Sequence, residues 1–173
     1  MPLNAGFVSM STTHPIHTKL KAIPLFHDFT DPELAQFLDL ADPTAYNPGE
    51  IIVRQGESGN CMFYVAEGTC RVVARKGEEP VELAILGPGE IVGELAMFDH
   101  QPRCADVLAA EPAILLKINE GVLRALAGVY PGAAFKFLLG IVREMGLRLR
   151  QSNTRYLDSL LTAWTNSDVS AQG

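Results

Sequence analysis

Two residues of opposite charge, Glu94 and Arg103, stand nine positions apart within residues 87–105, whose order is Gly-Pro-Gly-Glu-Ile-Val-Gly-Glu-Leu-Ala-Met-Phe-Asp-His-Gln-Pro-Arg-Cys-Ala. The pattern predicts a strand, one short helical turn that begins at Glu94, and a second strand. Backbone N–H groups at a helix start and a nearby guanidinium together form a site for an anion. A carboxylate repels that anion, so Glu94 fits the same site only when the ligand also carries hydroxyl donors. The residue types therefore indicate a ligand with both a phosphate and a sugar hydroxyl.

The same stretch resembles the phosphate-binding cassette of cyclic-nucleotide-binding domains, the superfamily of catabolite activators and protein-kinase-A regulatory subunits. That cassette has Gly-Glu-Leu/Ile-Ala followed by Pro-Arg-Ser/Thr-Ala, and this chain has Gly-Glu-Leu-Ala at 93–96 and Pro-Arg-Cys-Ala at 102–105. Cys104 is the departure, because the family usually places a hydroxyl residue or alanine there. The family's glycine pattern recurs at three further places, residues 48–52, 55–56 and 64–68. The resemblance thus covers most of the chain.

The resemblance implies a role for each cassette residue. Arg103 would neutralise the cyclic phosphate through paired N–H···O bonds, which a lysine could not reproduce. Glu94, with the Gly93 carbonyl, would accept a hydrogen bond from the ribose 2′-hydroxyl. Main-chain N–H groups would supply the remaining phosphate donors, from Leu95, Ala96 and either Cys104 or Ala105.

The base of the nucleotide is placed by alignment to the family's strands and long helix. Its apolar wall would consist of Val72, Leu83 and Ala84, and Arg148 of the long helix would lie on its other side. A guanidinium pairs with guanine O6 and N7 in DNA grooves, so Arg148 favours cGMP. Cys104 favours cAMP, because the family's guanine readers tend to place Thr there. Both ligands stay open.

The elements that must hold these residues belong to an α+β fold. Short apolar runs alternate with Gly- and Pro-containing turns about every ten residues between Ala45 and Ile118, which predicts an antiparallel β jelly-roll barrel of about eight strands. A helix is predicted from Thr30 to Ala41, because Thr-Asp-Pro-Glu is a typical helix start. The predicted strand stretches are 51–53, 61–65, 70–74, 81–86, 105–109 and 113–118.

The chain is predicted to have four parts. Residues 1–18 form a flexible arm, and residues 19–119 form the barrel with its N-terminal helix. Residues 120–164 form the C-terminal helices, a short one at 120–129 and a long one from about 133. Residues 165–173 form a tail.

The long helix carries an apolar seam that predicts a homodimer. Its members recur at alternating steps of four and three residues, the pattern of a parallel coiled coil: Leu138, Val142, Met145, Leu149, Ser152 and Tyr156. No helix-turn-helix pattern follows this helix, so direct DNA binding is not expected. We expect the output to reach an effector protein that the sequence does not identify.

Composition restricts the partners and the compartment. The formal net charge of −6 argues against nucleic acid, since DNA-binding modules carry a basic face. No run of 18 apolar residues could span a membrane and no secretory leader pattern begins the chain, so we place the protein in the cytoplasm. Cys61, Cys70 and Cys104 lie in apolar or strand-like stretches, which predicts buried, reduced thiols.

Enzymes form the first alternative class. A jelly-roll metalloenzyme needs several histidines and a carboxylate, but His100 is the only histidine in the barrel region. His14 and His17 flank Pro15 without a third ligand, so neither a metal nor another cofactor is expected. The remaining alternatives are an interaction scaffold that has lost the ligand and a receptor for another ligand, such as a cyclic dinucleotide. The favoured hypothesis is a cAMP or cGMP sensor whose ligand repositions the C-terminal helix.

Overall fold

The computed structural model describes residues 15–77 and 79–170, which form five helices and eight strands. The helices are α1 (Pro15–Lys21), α2 (Asp31–Leu40), α3 (Glu94–Asp99), α4 (Glu120–Val129) and α5 (Pro131–Ser170). The strands are β1 (Asp42–Tyr46), β2 (Ile51–Val53), β3 (Cys61–Glu67), β4 (Cys70–Lys76), β5 (Glu79–Leu86), β6 (Ile91–Val92), β7 (Asp106–Ala109) and β8 (Ala113–Asn119).

The strands pair antiparallel in two four-stranded sheets, with the orders β1-β8-β3-β6 and β2-β7-β4-β5. Non-consecutive neighbours in both sheets are typical of a jelly roll, so the α+β class and the strand number are confirmed. The strands form two separate sheets and do not close into a single barrel. Strand β1 was missed, because it begins with Asp-Pro, whereas the two-residue β6 is the strand predicted before the helical turn at Glu94.

The core lies among side chains that alternate along the strands of both sheets. Its buried members include Phe63, Val65, Cys70, Val107 and Leu115, and Val72 and Ala84 pack against it half-buried. A second cluster joins the first sheet to the N-terminal helices, where the ring of Phe26 lies 5.4 Å from that of Tyr64 and 4.9 Å from that of Phe37. Burial of these apolar surfaces is the main favourable term in folding.

Helix α2 begins and ends where its sequence predicts. The Glu33 carboxylate accepts the Thr30 N–H at 2.7 Å and two bonds from Lys136 Nζ at 2.8 and 3.0 Å. Burial alone would raise the pKa of Glu33, but the bonds from Lys136 and Thr30 outweigh it and lower that pKa overall. The pair therefore joins α2 to the first turns of α5.

Helix α1 lies partly within the predicted flexible arm. The arm was expected to reach residue 18, but the helix begins at Pro15 and buries His17 and Leu20. Short apolar contacts with the rest of the fold thus order a segment that has no helical period of its own. Residues 1–14, including His14, lie outside the described part of the chain.

The chain divides into two units between Lys136 and Phe137, so the second unit begins within α5. Four apolar members of the predicted seam are exposed there: Leu138, Val142, Leu149 and Tyr156, by 40%, 64%, 63% and 62%. Helix α5 ends at Ser170, beyond its predicted end near Trp164. Within the described ranges, no helix is both long and apolar enough to cross a membrane.

Candidate functional site

The predicted cassette is a strand, a short helix and an extended segment, as its sequence indicates. Strand β6 leads into Gly93, whose φ of +80° lies in the left-handed region, and α3 follows from Glu94. A Cβ at Gly93 would also press against Nη1 of Arg103 and lie 3.3 Å from its Cζ. Both the backbone turn and the arginine therefore require glycine at this position.

Arg103 is buried, with 7% of its surface exposed, and main-chain carbonyls hold its guanidinium. Nη1 donates to the Gly93 carbonyl at 2.7 Å, and Nη2 donates to the Cys61 carbonyl at 2.7 Å. The Arg103 backbone is fixed as well, because its N–H donates to Glu57 O and its carbonyl accepts from Gly56 N–H, both at 2.9 Å. The arginine is therefore positioned without any ligand.

The charge of Arg103 has no anionic partner among residues 15–77 and 79–170: its hydrogen bonds there go to the Gly93 and Cys61 carbonyls and, at 3.5 Å, to Cys61 Sγ. Carbonyls are dipoles and do not neutralise a cation, and a buried charge is normally paired. A guanidinium has five N–H donors, of which the carbonyls use two. The remaining donors and the uncompensated charge suit an oxyanion.

Glu94 is the other buried charge of the cassette, with 8% of its surface exposed. It is the first residue of α3 and directly follows Gly93, whose carbonyl accepts from Arg103. The structure therefore brings the predicted carboxylate and guanidinium to the same end of the short helix. Of the predicted main-chain donors, Ala96 and Ala105 are buried and Leu95 is 43% exposed.

Cys104 corrects the prediction of three buried thiols, since Cys61 and Cys70 are buried but Cys104 is exposed. Arg103 and Ala105, on either side of Cys104, are both buried, so the chain directs their side chains inward and leaves that of Cys104 exposed. Burial raises the pKa of the Cys70 thiol to about 11. The predicted strand at Ala105 begins one residue later, at Asp106.

The predicted base-lining residues are only partly brought together. Val72 and Ala84 are register partners on β4 and β5, and both are half-buried. A bulge follows, because Val73 pairs with Glu82, and the residue skipped is Leu83, which is 50% exposed. Arg148 belongs to the second unit, where its Nε lies 3.3 Å from Glu144 Oε1, and its role toward a base stays a prediction.

The partners of the arginine were missed from the sequence. Cys61 contributes a backbone carbonyl, which no residue type reveals, and residues 56–60 were identified only as a turn. The one available signal was a second glycine in that segment, Gly59. Within the described residues, no group of three His, Cys, Asp or Glu side chains could hold a metal ion.

Comparison with known proteins identifies the family. A family model described as the cyclic nucleotide-binding domain matches residues 43–130, just over half of the chain. This range contains the whole cassette and the β2–β3 loop. It ends before Arg148.

Two relatives and one solved structure illustrate the likeness. The type II regulatory subunit of cAMP-dependent protein kinase from Drosophila melanogaster is 32% identical over 97 residues, 56% of this chain and 26% of that protein. The cGMP-dependent protein kinase egl-4 from Caenorhabditis elegans is 30% identical over 97 residues, 55% of this chain and 12% of that protein. The crystal structure of Thermus thermophilus catabolite activator protein superposes with a TM-score of 0.69 at 30% identity, over 79% of this chain and 62% of that one. The chain thus spans less than two thirds of each.

Proposed function

This chain belongs to the cyclic nucleotide-binding domain family, and on that premise we propose that it binds cAMP or cGMP in the cassette of residues 93–105. In this proposal the nucleotide acts as a signal, and the helices after Asn119 pass the signal to a partner protein. The family is regulatory, so we propose a binding module and not an enzyme.

The observation that carries the proposal is the buried charge of Arg103, which has no ion-pair partner within the described residues. A cyclic phosphate is a monoanion with two free oxygens, which matches one guanidinium with free N–H donors. Glu94 supplies the acceptor that a ribose hydroxyl needs. A phosphomonoester would bring a second negative charge beside the Glu94 carboxylate, so the site favours the cyclic diester.

The identity of the base is a choice between the two ligands named by the relatives, a cAMP-dependent and a cGMP-dependent protein kinase. The apolar pair of Val72 and Ala84 would contact either base, because both purines have the same apolar faces. Binding therefore has to be measured with both nucleotides.

The output of the proposed sensor is a shift in the population of helix positions. A ligand moves such an equilibrium only by its difference in affinity between the two states. Helix α4 packs on β8 and α2, and the bonds between Glu33 and Lys136 tie the first turns of α5 to α2. We therefore propose residues 120–164 as the moving parts and residues 19–119 as the sensor.

We also propose that the protein forms a parallel homodimer through α5. The exposed seam on the second unit supports this, because a narrow a/d stripe of Leu, Val and Tyr is the pattern of a two-stranded coiled coil. A second copy would cover the seam and would let two sensors act on one output helix pair.

Thermal unfolding with added nucleotides tests the ligand. A nucleotide at 100 times its Kd adds about 2.7 kcal/mol of stability, which raises the Tm by roughly 5–10 °C in a chain of this size. Arg103→Ala should abolish the shift. Arg71→Ala is the matched control, since Arg71 is exposed on β4 and pairs with Glu82 away from the cassette.

The ligand panel contains cAMP, cGMP, 5′-AMP, 5′-GMP and cyclic dinucleotides. A shift with cAMP or cGMP that Arg103→Ala removes and Arg71→Ala keeps supports the proposal. If only cyclic dinucleotides raise the Tm, the ligand is a cyclic dinucleotide and not cAMP or cGMP. If no nucleotide shifts the Tm of the wild type, the sensor hypothesis is wrong and the interaction scaffold remains.

A further inference from the structure

The β2–β3 loop, residues 54–60, is joined to the cassette at the residue that carries the anion-binding charge. The paired backbone bonds of Gly56 and Glu57 with Arg103, both 2.9 Å long, form a short two-stranded contact between loop and cassette. The Cys61 carbonyl at the end of the loop accepts from the Arg103 side chain. The loop therefore contacts the arginine at its backbone and at its guanidinium.

A buried carboxylate anchors the start of the same loop. Asp106, which is 8% exposed, accepts the Gln55 N–H at 2.8 Å and pairs with Arg75 Nε at 3.2 Å. The Gln55 side chain in turn accepts the Arg75 N–H at 2.7 Å. Because Asp106 begins β7 and Arg75 lies on β4, the loop is tied to the second sheet as well as to the cassette.

Gly59 faces the guanidinium of Arg103 without a side chain between them. A Cβ at Gly59 would lie 2.5 Å from Nη2 and closer still to Nε and Cζ, whereas ordinary van der Waals contact begins at about 3.4 Å. The backbone of Gly59 lies outside the left-handed region, so other residues could adopt its conformation. The need for glycine here is steric, and the group it makes room for is the arginine.

Gly56, in the same loop, has the opposite properties. Its φ is +83°, which favours glycine, but nothing lies within 4 Å of an added Cβ. Glycine is therefore required at Gly56 by its backbone conformation and at Gly59 by the lack of space for a side chain. Substitution at Gly56 strains the loop without touching the guanidinium, and substitution at Gly59 displaces the guanidinium without straining the loop.

We propose that Gly59 is a positioning residue for the ligand-binding arginine. Its bare Cα forms one wall of a slot, and the Gly93 and Cys61 carbonyls hold the edges of the guanidinium in that slot. A methyl group at Gly59 must move the guanidinium by about 1 Å to restore van der Waals contact, which breaks its alignment with those carbonyls and with a bound phosphate. This inference rests on the proposed function for its ligand, but the slot itself needs no ligand.

A double-mutant cycle on stability tests the slot in the full chain without nucleotide. Urea unfolding is measured for the wild type, Gly59→Ala, Arg103→Ala and the double variant. Gly59→Ala should lower the urea midpoint when Arg103 is present. In the Arg103→Ala background the methyl has room, so the same substitution should leave the midpoint unchanged or raise it.

Gly56→Ala is the matched control in both backgrounds. Its φ strain is independent of the arginine side chain, so it should lower the midpoint equally with and without Arg103. If Gly59→Ala by itself does not fold, recovery of folding in the double variant is the decisive measurement. A Gly59→Ala effect of equal size in both backgrounds overturns the inference.

Binding of cAMP and cGMP gives the second readout. Gly59→Ala should bind the preferred nucleotide at least roughly tenfold more weakly, because losing one charge-assisted hydrogen bond has about that effect. Unchanged affinity in Gly59→Ala overturns the positioning role. If the wild type binds neither nucleotide, the proposed function is wrong. A destabilising effect of Gly59→Ala that depends on Arg103 in the urea experiment would still show that Gly59 makes room for the guanidinium.

Discussion

Replacing Glu94 by Gln tests the sugar half of the proposed site. Gln has nearly the same shape as Glu but is neutral, so the substitution removes the charged acceptor and keeps the packing at the start of α3. Glu94 is 8% exposed, and solvent therefore cannot take over its role. If it accepts the ribose 2′-hydroxyl, Glu94→Gln should weaken nucleotide binding by the difference between a charged and a neutral hydrogen bond.

The expected loss of binding free energy follows from the typical strength of a hydrogen bond to a charged acceptor. A hydrogen bond to a charged group contributes about 1.5–3 kcal/mol and one between neutral groups about 1 kcal/mol. The loss should therefore be about 0.5–2 kcal/mol, or roughly 2- to 30-fold in Kd. Glu94→Ala, which leaves the hydroxyl without an acceptor, should lose the full 1.5–3 kcal/mol, roughly 10- to 150-fold.

Isothermal titration calorimetry with cAMP or cGMP and the matching 2′-deoxy nucleotide isolates this bond. The wild type should lose affinity when the 2′-hydroxyl is removed. Glu94→Ala should bind the two nucleotides with nearly equal affinity, because the bond is already gone. Glu120→Gln is the matched control, since Glu120 also begins a helix but lies on α4 and is half-exposed.

If the effects of Glu94→Ala and of removing the 2′-hydroxyl on the binding free energy are additive, the two groups do not interact. If Glu94→Ala weakens the ribo- and deoxynucleotides by the same factor, Glu94 does not contact the 2′-hydroxyl. Its role would then be confined to the start of α3, where an acidic residue contributes only about 0.3–1 kcal/mol. The phosphate half of the site would stand on Arg103 by itself.

Two further predictions concern the helices. Leu149→Glu should convert the proposed dimer to a monomer in analytical ultracentrifugation, whereas Gln151→Glu, on the opposite side of α5, should not; a wild type that sediments as a monomer contradicts the dimer. Glu33→Gln should lower the free energy of unfolding by about 1–2 kcal/mol at pH 7, because it removes the acceptor of the Lys136 bonds. Since these bonds lower the pKa of Glu33, their contribution is complete above the unfolded value of about 4.3 and disappears as the pH falls through the lower folded value. Urea titrations of the wild type and the variant should therefore differ most at neutral pH and converge as the pH falls below the unfolded value of about 4.3 and through the lowered pKa, and a gap that stays constant as the pH falls contradicts the assignment.

Local signals explain why much of the fold was predictable. The α2 boundaries follow from Thr30 and Pro32, and the strands from β2 to β5 lie between Gly-containing turns. These signals act within a few residues, so a single sequence contains them. Strand β1 lacks such a signal, because it begins with Asp-Pro and its pairing with β8 is made by distant residues.

Side-chain orientation was predicted less well than element type. Cys104 was expected to be buried because its neighbours are apolar, but the inward turn of Arg103 places it outside. A bulge in the β4–β5 ladder leaves Leu83 without a register partner and half-exposed, and its role toward a base stays a prediction. One inserted residue reverses every orientation beyond it, and a sequence does not show where the insertion lies.

The sequence by itself determined the chemistry of the cassette: a glycine before a helix start, an acid at that start, and an arginine nine residues later. Those residue types and that spacing are local and needed no structure. Only the tertiary structure decided what surrounds the arginine. The Cys61 carbonyl and the bare Cα of Gly59 come from a loop more than forty positions away, and they act through a backbone atom and through the absence of a side chain. Neither leaves a pattern of residue types, so only the folded chain reveals that the guanidinium is buried, held in place and without an ion-pair partner within the described residues.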